Sequence, residues 1–238
     1  MITQLDLVYR AWRYRLKLDP AEIRYLLAHV SRGDVVVDIG AHKGAYTYWL
    51  RKRVGKEGKV FSFEPQTGLS DYLKKVVNSL SWDNVTVENL GLSSREGELI
   101  LSVPGTSPSP GASFEEKFSE NDVTQKHKVE VVTLDEYISA SCPNERVKFI
   151  KCDVEGHELE VFRGAENILK EYRPILMFEC EQRHHVIGSI YEVFKYLEEL
   201  GYTGYFFSRG EIRPIKEFSV EDHQVQGKKP YINNFLFK

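Results

Sequence analysis

The first half of the chain alternates short apolar runs with segments of helical periodicity. Runs rich in β-branched and aromatic residues at positions 35–38, 59–64 and 85–89 predict three strands. Apolar residues at helical spacing predict a helix over 45–54 and a second helix that ends near Leu80. Continuous apolar strands separated by helices are typical of a parallel sheet that is covered on both faces. We therefore expect an α/β fold.

The second half resumes the same alternation. It predicts strands over 147–152, 174–179 and 204–208, and helices over 158–172 and 190–200. The chain finishes in a strand over 232–237 that follows another strand without a predicted crossover helix. Such a strand must pair antiparallel. The expected architecture is therefore a mostly parallel sheet with an antiparallel last strand.

The pattern is less regular between these halves and at the start of the chain. Strands are predicted over 98–103 and 129–133, but residues 104–128 are polar, weakly periodic and rich in Pro, Ser and Gly near their start. This insertion is either a mobile lid or acceptor-binding loop, or a plain surface loop. We expect a domain over 33–238, preceded by a helical segment over 1–32 that is a possible lid.

The N-terminal segment interleaves bases with aromatics between Tyr9 and Lys17. One interpretation is contact with an anionic acceptor, a lipid headgroup or nucleic acid. The simpler interpretation is a solvated helix that packs its aromatic side chains on the domain.

Composition limits the function classes. Hydrophobic residues make up 42% of the chain and charged residues 28%, which is ordinary for a globular domain. The net charge of −3 provides no general attraction for polyanions, so we do not expect a nucleic-acid partner unless it binds a local basic patch. Cys142, Cys152 and Cys180 have no zinc-type spacing and form no disulfide framework. No apolar run reaches the roughly 18 residues of a membrane helix, and no signal peptide is evident, so we expect a cytoplasmic protein without an integral membrane segment.

A glycine turn follows the first strand, with Gly40 and Gly44 placed after Asp38. A strand that turns into a helix through glycines brings backbone amides and a positive helix end to a ligand. The Gly-x-x-x-Gly spacing differs from the Gly-x-Gly-x-x-Gly of pyrophosphate sites. A carboxylate at the strand end suits a ligand with a cation and no phosphate, such as the amino-acid end of S-adenosylmethionine. The alternative is an ordinary strand–helix turn.

The next two strands also end in polar side chains. Glu64 ends the second strand and can accept hydrogen bonds from both ribose hydroxyls. Asn89 ends the third, where it either meets an adenine edge or serves as a turn residue. A ribose-binding acid is shared with dehydrogenases, so a nucleotide-dependent oxidoreductase with a Rossmann-like fold remains the alternative enzyme.

Acidic residues mark the ends of the two strands in the second half. Asp153 and Glu155 follow one strand, and Glu179 ends the next, so their side chains should share one rim of the ligand crevice. This rim can hold an acceptor, remove its proton, or bind a divalent metal, which is possible but not favoured. His157 is a candidate base or a solvent-facing helix residue, and His184 and His185 could reach the acceptor or lie on the surface.

The chain resembles the FkbM-type methyltransferase family. The matching segments are residues 33–47, 60–65, 89–93, 133–135, 150–158, 164–165 and 174–179, of which the Asp-Val-Glu-Gly at 153–156 is the most specific. The resemblance implies a Rossmann-like class I methyltransferase fold with a mostly parallel seven-stranded sheet and an antiparallel last strand. It also implies methyl transfer, usually to an oxygen. His42 stands where the family usually has Asn, and Gly91 where it often has Ala.

The residues at the strand ends and the resemblance together predict a cofactor site and a catalytic rim. The cofactor-binding residues would be Asp38, Gly40, Ala41, Gly44, Tyr46, Thr47, Glu64, Asn89 and Asp153. The catalytic residues would be Asp153, Glu155, His157 and Glu179. We therefore predict an S-adenosylmethionine-dependent methyltransferase that modifies a hydroxyl on a small molecule, glycan or lipid. A cofactor-binding module without catalysis is the non-enzymatic alternative.

Overall fold

A computed structural model describes residues 4–105, 108–115, 124–143, 145–185 and 188–238. The strands are β1 Val35–Ile39, β2 Lys59–Phe63, β3 Val85–Glu88, β4 Gly91–Leu92, β5 Gly97–Pro104, β6 Thr124–Val132, β7 Val147–Cys152, β8 Ile175–Glu179, β9 Gly204–Ser208, β10 Glu211–Pro214 and β11 Asn234–Phe237. The α-helices are α1 Gln4–Arg13, α2 Pro20–His29, α3 Ala45–Val54, α4 Thr67–Ser79, α5 Leu134–Ser141, α6 Glu158–Arg163, α7 Glu166–Glu171, α8 Ile190–Glu199 and α9 Val220–His223.

The central sheet has the strand order β10-β9-β11-β8-β7-β1-β2-β3. Its middle, from β8 to β3, is parallel, and β11 inserts antiparallel between β8 and β9. All five residues of β1 are buried, as expected for a strand covered on both faces. The predicted α/β architecture with an antiparallel last strand is confirmed.

The sheet has eight strands within the described residues, one more than the predicted seven. The additional strand, β10, pairs antiparallel with β9 at the edge. A two-residue turn joins them, and both Arg209 and Gly210 have positive φ angles, of 50° and 84°. Turns of this kind match the twist of a hairpin. The mostly exposed β10 lacks the apolar alternation by which a strand is recognised.

The helix predicted over 158–172 is broken into α6 and α7. Gly164 lies at the break, where an added Cβ would stand 2.0 Å from the main-chain oxygen of Ser93. The chain therefore passes too close to its neighbour for a side chain. Asp135 caps the second piece, since its carboxylate accepts hydrogen bonds from the amides of Asn167 and Ile168, each at 2.9 Å. Neither effect is visible in the helical periodicity.

Apolar side chains cover both faces of the sheet, in two clusters. The N-terminal segment belongs to one of them and is helical, as predicted: α1 continues into a π-helical turn at Tyr14–Leu18 and then α2. It packs against α3, where the indole nitrogen of Trp49 donates a hydrogen bond to the Ala11 carbonyl at 2.8 Å. In the described ranges, every helix is too short or too polar to cross a bilayer.

A second, three-stranded sheet of order β4-β6-β5 carries the predicted insertion. The antiparallel pairing of β5 with β6 runs from Gly97 opposite Val131 to Pro104 opposite Thr124. Residues 124–128, expected to be part of an irregular insertion, therefore belong to a strand. Residues 108–115 return toward the central sheet, and Ser113 pairs with Ser102. The remainder of the insertion, 106–107 and 116–123, lies outside the described residues.

Candidate active site

A cavity of about 260 Å³ lies at the carboxyl ends of β1, β2, β7 and β8. Eight of the predicted site residues line it: Asp38, Gly40, Ala41, Tyr46, Glu64, Asp153, Glu155 and Glu179. Arg10 and Tyr14 of the N-terminal segment form another part of the wall. Because the carboxyl ends of parallel strands meet at one edge, residues far apart in sequence converge there.

The turn after β1 depends on Gly40. This glycine has a φ of +75°, and a Cβ on it would lie 1.8 Å from the main-chain oxygen of Asp153. The amides of Gly40 and Ala41 both donate to the Phe63 carbonyl at 3.0 Å, which ties the turn to the end of β2. The turn is thus held between β2 and the segment after β7.

Asp38 is buried at the base of this turn. Its carboxylate accepts a 2.5 Å hydrogen bond from the Thr47 hydroxyl, which also lies 3.1 Å from the Ser62 hydroxyl. Burial raises the pKa of Asp38 to about 6, while the bond from Thr47 and the charge of Lys151 act in the opposite direction. Thr47, which was predicted to bind the cofactor, donates this hydrogen bond to Asp38 and does not line the cavity.

Glu64 connects the ends of β1 and β2. Its two carboxylate oxygens accept hydrogen bonds from the amides of His42, at 2.7 Å, and Gln66, at 2.9 Å. Burial raises the pKa of Glu64 to about 7, and these two amides oppose that rise. Each oxygen keeps a second lone pair, so the carboxylate can still accept hydrogen bonds from a ligand.

Two polar atoms in the cavity wall have no protein partner. Nε of Arg10 and Nε2 of His42 are buried and make no hydrogen bond among the described residues, although both side chains line the cavity. Burial and the nearby charges of Lys43 and Arg10 lower the pKa of His42 to about 4, so its ring is neutral near pH 7. Buried polar atoms are costly when unpaired, and both of these belong to side chains that line the cavity.

The acidic rim faces this wall. Oxygens of Asp153, Glu155 and Glu179 all lie within 4.8 Å of one another. Asn233 donates to Glu179 at 2.7 Å, and Nδ1 of His184 lies 2.8 Å from Glu155. Burial raises the pKa values of Asp153 and Glu179, and the mutual repulsion of the carboxylates adds to the rise. Asp153 and Glu179 are therefore harder to ionise than free carboxyl groups.

Lys151 is the buried cation beside this rim. It is 2% exposed, and its Nζ lies 4.0 Å from an Asp153 carboxylate oxygen and 5.0 Å from the centre of the Tyr46 ring. Tyr46 in turn donates to Asp19 at 2.8 Å. The sequence interpretation missed Lys151, although a lysine inside an otherwise apolar central strand is itself a signal.

Asn89 lies at a second cavity, of about 330 Å³, that shares Pro65, Gln66 and Leu101 with the first. Its side-chain amide donates to the carbonyls of Glu64 and Pro65, both at 2.9 Å. The order of Asp38, Glu64 and Asn89 across the ends of β1, β2 and β3 is therefore the one predicted. Asn89 also shapes the loop after β2.

His157 and Gly44 do not line the main cavity. The ring nitrogens of His157 lie 2.9 Å from a Glu115 carboxylate oxygen and 3.0 Å from the Ser93 hydroxyl. A Cβ on Gly44 would meet the side chain of Leu73 at 2.6 Å, so this glycine faces the packing of α4. The structure thus separates these two residues from the cavity that the other predicted residues share.

Residues 108–115 form a cover over the cavity, through Pro110, Ala112 and Phe114. Gln66 and Ser109 exchange two hydrogen bonds, from the side-chain amide to the Ser109 carbonyl at 2.9 Å and from the Ser109 amide back at 3.0 Å. The Ser113 hydroxyl donates to the Glu155 carbonyl at 2.7 Å. The described part of the insertion therefore contacts both the loop after β2 and the acidic rim.

Among the described residues, two groups of side chains have the donor atoms that metals use. The rim carboxylates are one group. The other is Glu158, Cys180 and His185, in which the cysteine sulfur lies 3.3 Å from the histidine Nε2 and 3.7 Å from a glutamate oxygen. Oxygen donors suit hard divalent cations, whereas mixed sulfur, nitrogen and oxygen donors suit zinc. That a metal is possible but not favoured stays a prediction.

The family comparison covers most of the chain. It includes every residue that lines the main cavity except Arg10 and Tyr14. The Methyltransferase FkbM domain matches residues 38–203. The chain belongs to the FkbM methyltransferase family. This membership confirms the resemblance noted in the sequence and decides against the oxidoreductase alternative.

Two curated relatives of this FkbM-family chain are also methyltransferases. Hexuronic acid methyltransferase AglP of Haloferax volcanii is 30% identical over 174 residues, which cover 71% of this chain and 66% of that protein. Methyltransferase sdnD of Sordaria araneosa is 26% identical over 167 residues, which cover 60% of this chain and 64% of that protein. The chain thus spans just under two thirds of the length of each relative.

Solved structures support the fold. The methyltransferase FkbM of Methylobacillus flagellatus superposes with a TM-score of 0.55 at 15% identity, covering 99% of this chain and 54% of that chain. An O-methyltransferase from Bacillus cereus in complex with SAH superposes with a TM-score of 0.53 at 12% identity, covering 98% and 88%. At these identities the likeness concerns the fold alone, and it confirms a class I methyltransferase architecture.

Proposed function

We propose that this FkbM-family chain transfers the methyl group of S-adenosylmethionine to a hydroxyl of a small molecule or glycan. The proposal rests on one cavity whose two walls differ in their chemical groups. One wall holds Asp38, Glu64 and the unpaired nitrogens of Arg10 and His42. The other is the acidic rim. The first suits a nucleoside with an amino-acid tail, and the second suits an acceptor that must lose a proton.

The donor groups of the first wall fit S-adenosylmethionine. Asp38 matches the ammonium, and the unpaired nitrogens of Arg10 and His42 match the carboxylate of the amino-acid tail. The Glu64 carboxylate has lone pairs left for the ribose hydroxyls. The second cavity, beside Asn89, continues from Glu64 and suits the adenine.

Bound S-adenosylmethionine would supply a methyl group on a positively charged sulfur, open to in-line displacement by an oxygen. The protein then has two tasks, to align the acceptor hydroxyl and to take its proton. The rim carboxylates of Asp153, Glu155 and Glu179 are placed for both. Burial and mutual repulsion raise the pKa values of Asp153 and Glu179, which makes each of them a stronger proton acceptor when it is ionised. The rim carboxylates would take the proton that the hydroxyl loses when its oxygen gains the methyl group and S-adenosylmethionine becomes S-adenosylhomocysteine.

The rim also favours an acceptor with several hydroxyls. Oxygens of the three carboxylates lie within 4.8 Å of one another, so together they can accept hydrogen bonds from neighbouring hydroxyls of a sugar ring. Tyr14 adds an aromatic ring to the same cavity. The relative that methylates a hexuronic acid supports a glycan as the first acceptor to try.

The cofactor assignment is tested by thermal denaturation with S-adenosylhomocysteine and, in parallel, with NAD. A ligand present at about 100 times its Kd stabilises a fold by about 2.7 kcal/mol. For a chain of this size, that corresponds to a rise in Tm of roughly 5–10 °C. We expect the rise with S-adenosylhomocysteine and none with NAD. The reverse result would refute the proposal.

Methyl transfer is tested separately with labelled S-adenosylmethionine and a panel of sugars, uronic acids and small alcohols. Incorporation of label into an acceptor, lost in Asp153→Asn, is the expected result. Binding of S-adenosylhomocysteine without transfer to any of them would favour the cofactor-binding module.

A further inference from the structure

The N-terminal segment exposes large apolar and aromatic side chains on its outer surface, where a solvated helix would carry polar ones. From Gln4 to Leu18 it is helical throughout, and its inner face packs Leu7 and Ala11 into the domain. Four large apolar or aromatic side chains are exposed elsewhere on its surface: Leu5, Tyr9, Trp12 and Leu16, with exposed fractions of 77%, 72%, 39% and 67%. Trp12 is the least exposed because one edge of its ring packs against the buried Trp49. We refer to these four side chains as the outer stripe.

The outer stripe is continuous along the helix. Its members follow one another at intervals of four, three and four residues. At 3.6 residues per turn, Leu5, Tyr9 and Trp12 fall within an arc of roughly 60°, and Leu16 follows in the π-helical turn. Single exposed apolar residues are common on protein surfaces, but a row of four at helical spacing marks a binding surface.

Basic side chains flank the outer stripe on both sides. Arg13 and Lys17 lie on one side of the arc, and Arg15 on the other. The segment from Gln4 to Leu18 contains four bases and one acid, a net charge of +3, whereas the whole chain carries −3. Three of the bases flank the outer stripe, and the fourth, Arg10, lines the active-site cavity. The positive charge is therefore concentrated around the exposed apolar row.

We propose that the outer stripe and its bases dock the protein on the anionic surface of a lipid bilayer. Helices that lie in a membrane interface combine Leu and Trp on one face with Lys and Arg beside it, and they sink about 5–10 Å into the boundary between headgroups and acyl chains. Tyr and Trp favour this boundary because their rings are apolar and their tips are polar. The outer stripe has both features.

A second copy of the chain is a poorer partner for this face. In a symmetric dimer, the same patch meets itself. Two segments of net charge +3 would then be pressed together, which opposes association, whereas anionic headgroups neutralise them. Charge complementarity therefore selects the lipid surface.

Docking through this face would also place the active-site cavity beside the membrane. Arg10 and Tyr14, from the same segment, line that cavity. The docking proposal stands on the outer stripe and does not depend on the proposed methyl transfer.

The experiment is sedimentation of the full chain with phosphatidylcholine vesicles, prepared with and without phosphatidylglycerol. We expect binding to the anionic vesicles and little to the neutral ones.

Arg13→Gln with Lys17→Gln should weaken that binding about 30-fold, because each base near an anionic surface contributes about 1 kcal/mol, or about fivefold. Tyr9→Gln with Leu16→Gln should weaken it by at least about tenfold. Salt near 1 M, where the Debye length is about 3 Å, should remove the charge contribution.

The matched controls are exposed residues elsewhere: Lys56→Gln with Arg95→Gln for charge, and Ile100→Gln with Ile212→Gln for apolar surface. These should bind vesicles like the wild type. All variants are checked for an unchanged Tm, since every substituted side chain is exposed. Equal binding by wild type and outer-stripe variants would overturn the proposal. So would a dimer in light scattering that the outer-stripe variants dissociate while vesicle binding stays the same, or binding to RNA with none to vesicles.

Discussion

The main-chain oxygen of Asp153 lies where a side chain on Gly40 would begin. The separation from an added Cβ would be 1.8 Å, and the φ of Gly40, +75°, already favours glycine. The Asp153 amide also donates to the Ile39 carbonyl at 2.9 Å. The turn proposed to hold the cofactor and the rim proposed to hold the acceptor are therefore in direct backbone contact.

This contact predicts that Gly40→Ala both destabilises the fold and abolishes binding of S-adenosylhomocysteine. The control is Gly33→Ala, at a similar φ of +86° but with nothing within 4 Å of the added Cβ. The left-handed conformation alone costs about 1–2 kcal/mol, which is the loss expected for Gly33→Ala in urea denaturation. Gly40→Ala should lose distinctly more, since the clash adds to it. Equal losses would contradict the contact.

Arg10 is predicted to bind the carboxylate of the cofactor. Replacing a charged hydrogen-bond donor costs about 1.5–3 kcal/mol, so Arg10→Gln should weaken S-adenosylhomocysteine about tenfold to a hundredfold by calorimetry. Arg13→Gln, on the outward face of the same helix, should leave the affinity unchanged. Neither variant should alter binding of 5′-methylthioadenosine, which lacks the amino-acid tail. A loss with both ligands would assign Arg10 a structural role.

The positions of the central strands along the chain could be predicted because each strand leaves a local pattern in the sequence. The helix expected over 45–54 coincides with α3, and the apolar runs before it and after it are β1 and β2. Features that depend on contacts between distant segments escaped prediction. Gly164 breaks a helix because Ser93 passes beside it, and β10 exists because a two-residue turn folds it onto β9.

The same division applies to the active site. Acids at strand ends, such as Asp38 and Glu179, could be predicted because parallel strands bring their carboxyl ends to one edge. Arg10 reaches the cavity only because α1 packs on α3, a contact that no local pattern records. Conversely, His157 follows the acidic strand end in sequence, yet its ring points to Ser93 and Glu115. The closeness of His157 to the strand end in sequence therefore did not predict where its side chain lies.

Glu64 predicts a pH dependence of stability. Burial raises its pKa in the folded chain to about 7, above the ordinary value of 4.5, so the folded state binds the proton more tightly than the unfolded state. The contribution is fully present below pH 4.5 and is lost as the pH rises to about 7. The wild type should therefore lose free energy of unfolding relative to Glu64→Gln across this window, by at most about 1.4 kcal/mol per pH unit. Glu88→Gln, at the end of β3, is the control. A difference that is constant with pH would contradict the assignment.

The acidic rim is predicted to act in the chemical step rather than in cofactor binding. Asp153→Asn and Glu179→Gln should each lower kcat by about 10²–10⁴, the usual contribution of a general base, while the Kd of S-adenosylhomocysteine changes little. Glu181→Gln is the matched control, because this acid lies two residues from Glu179 but binds Arg183 and Tyr231. It should retain turnover. If only one rim variant loses turnover, that carboxylate takes the proton and the other positions the acceptor. If His157→Gln alone abolishes it with the fold intact, the base lies outside the cavity described above and the rim assignment is wrong.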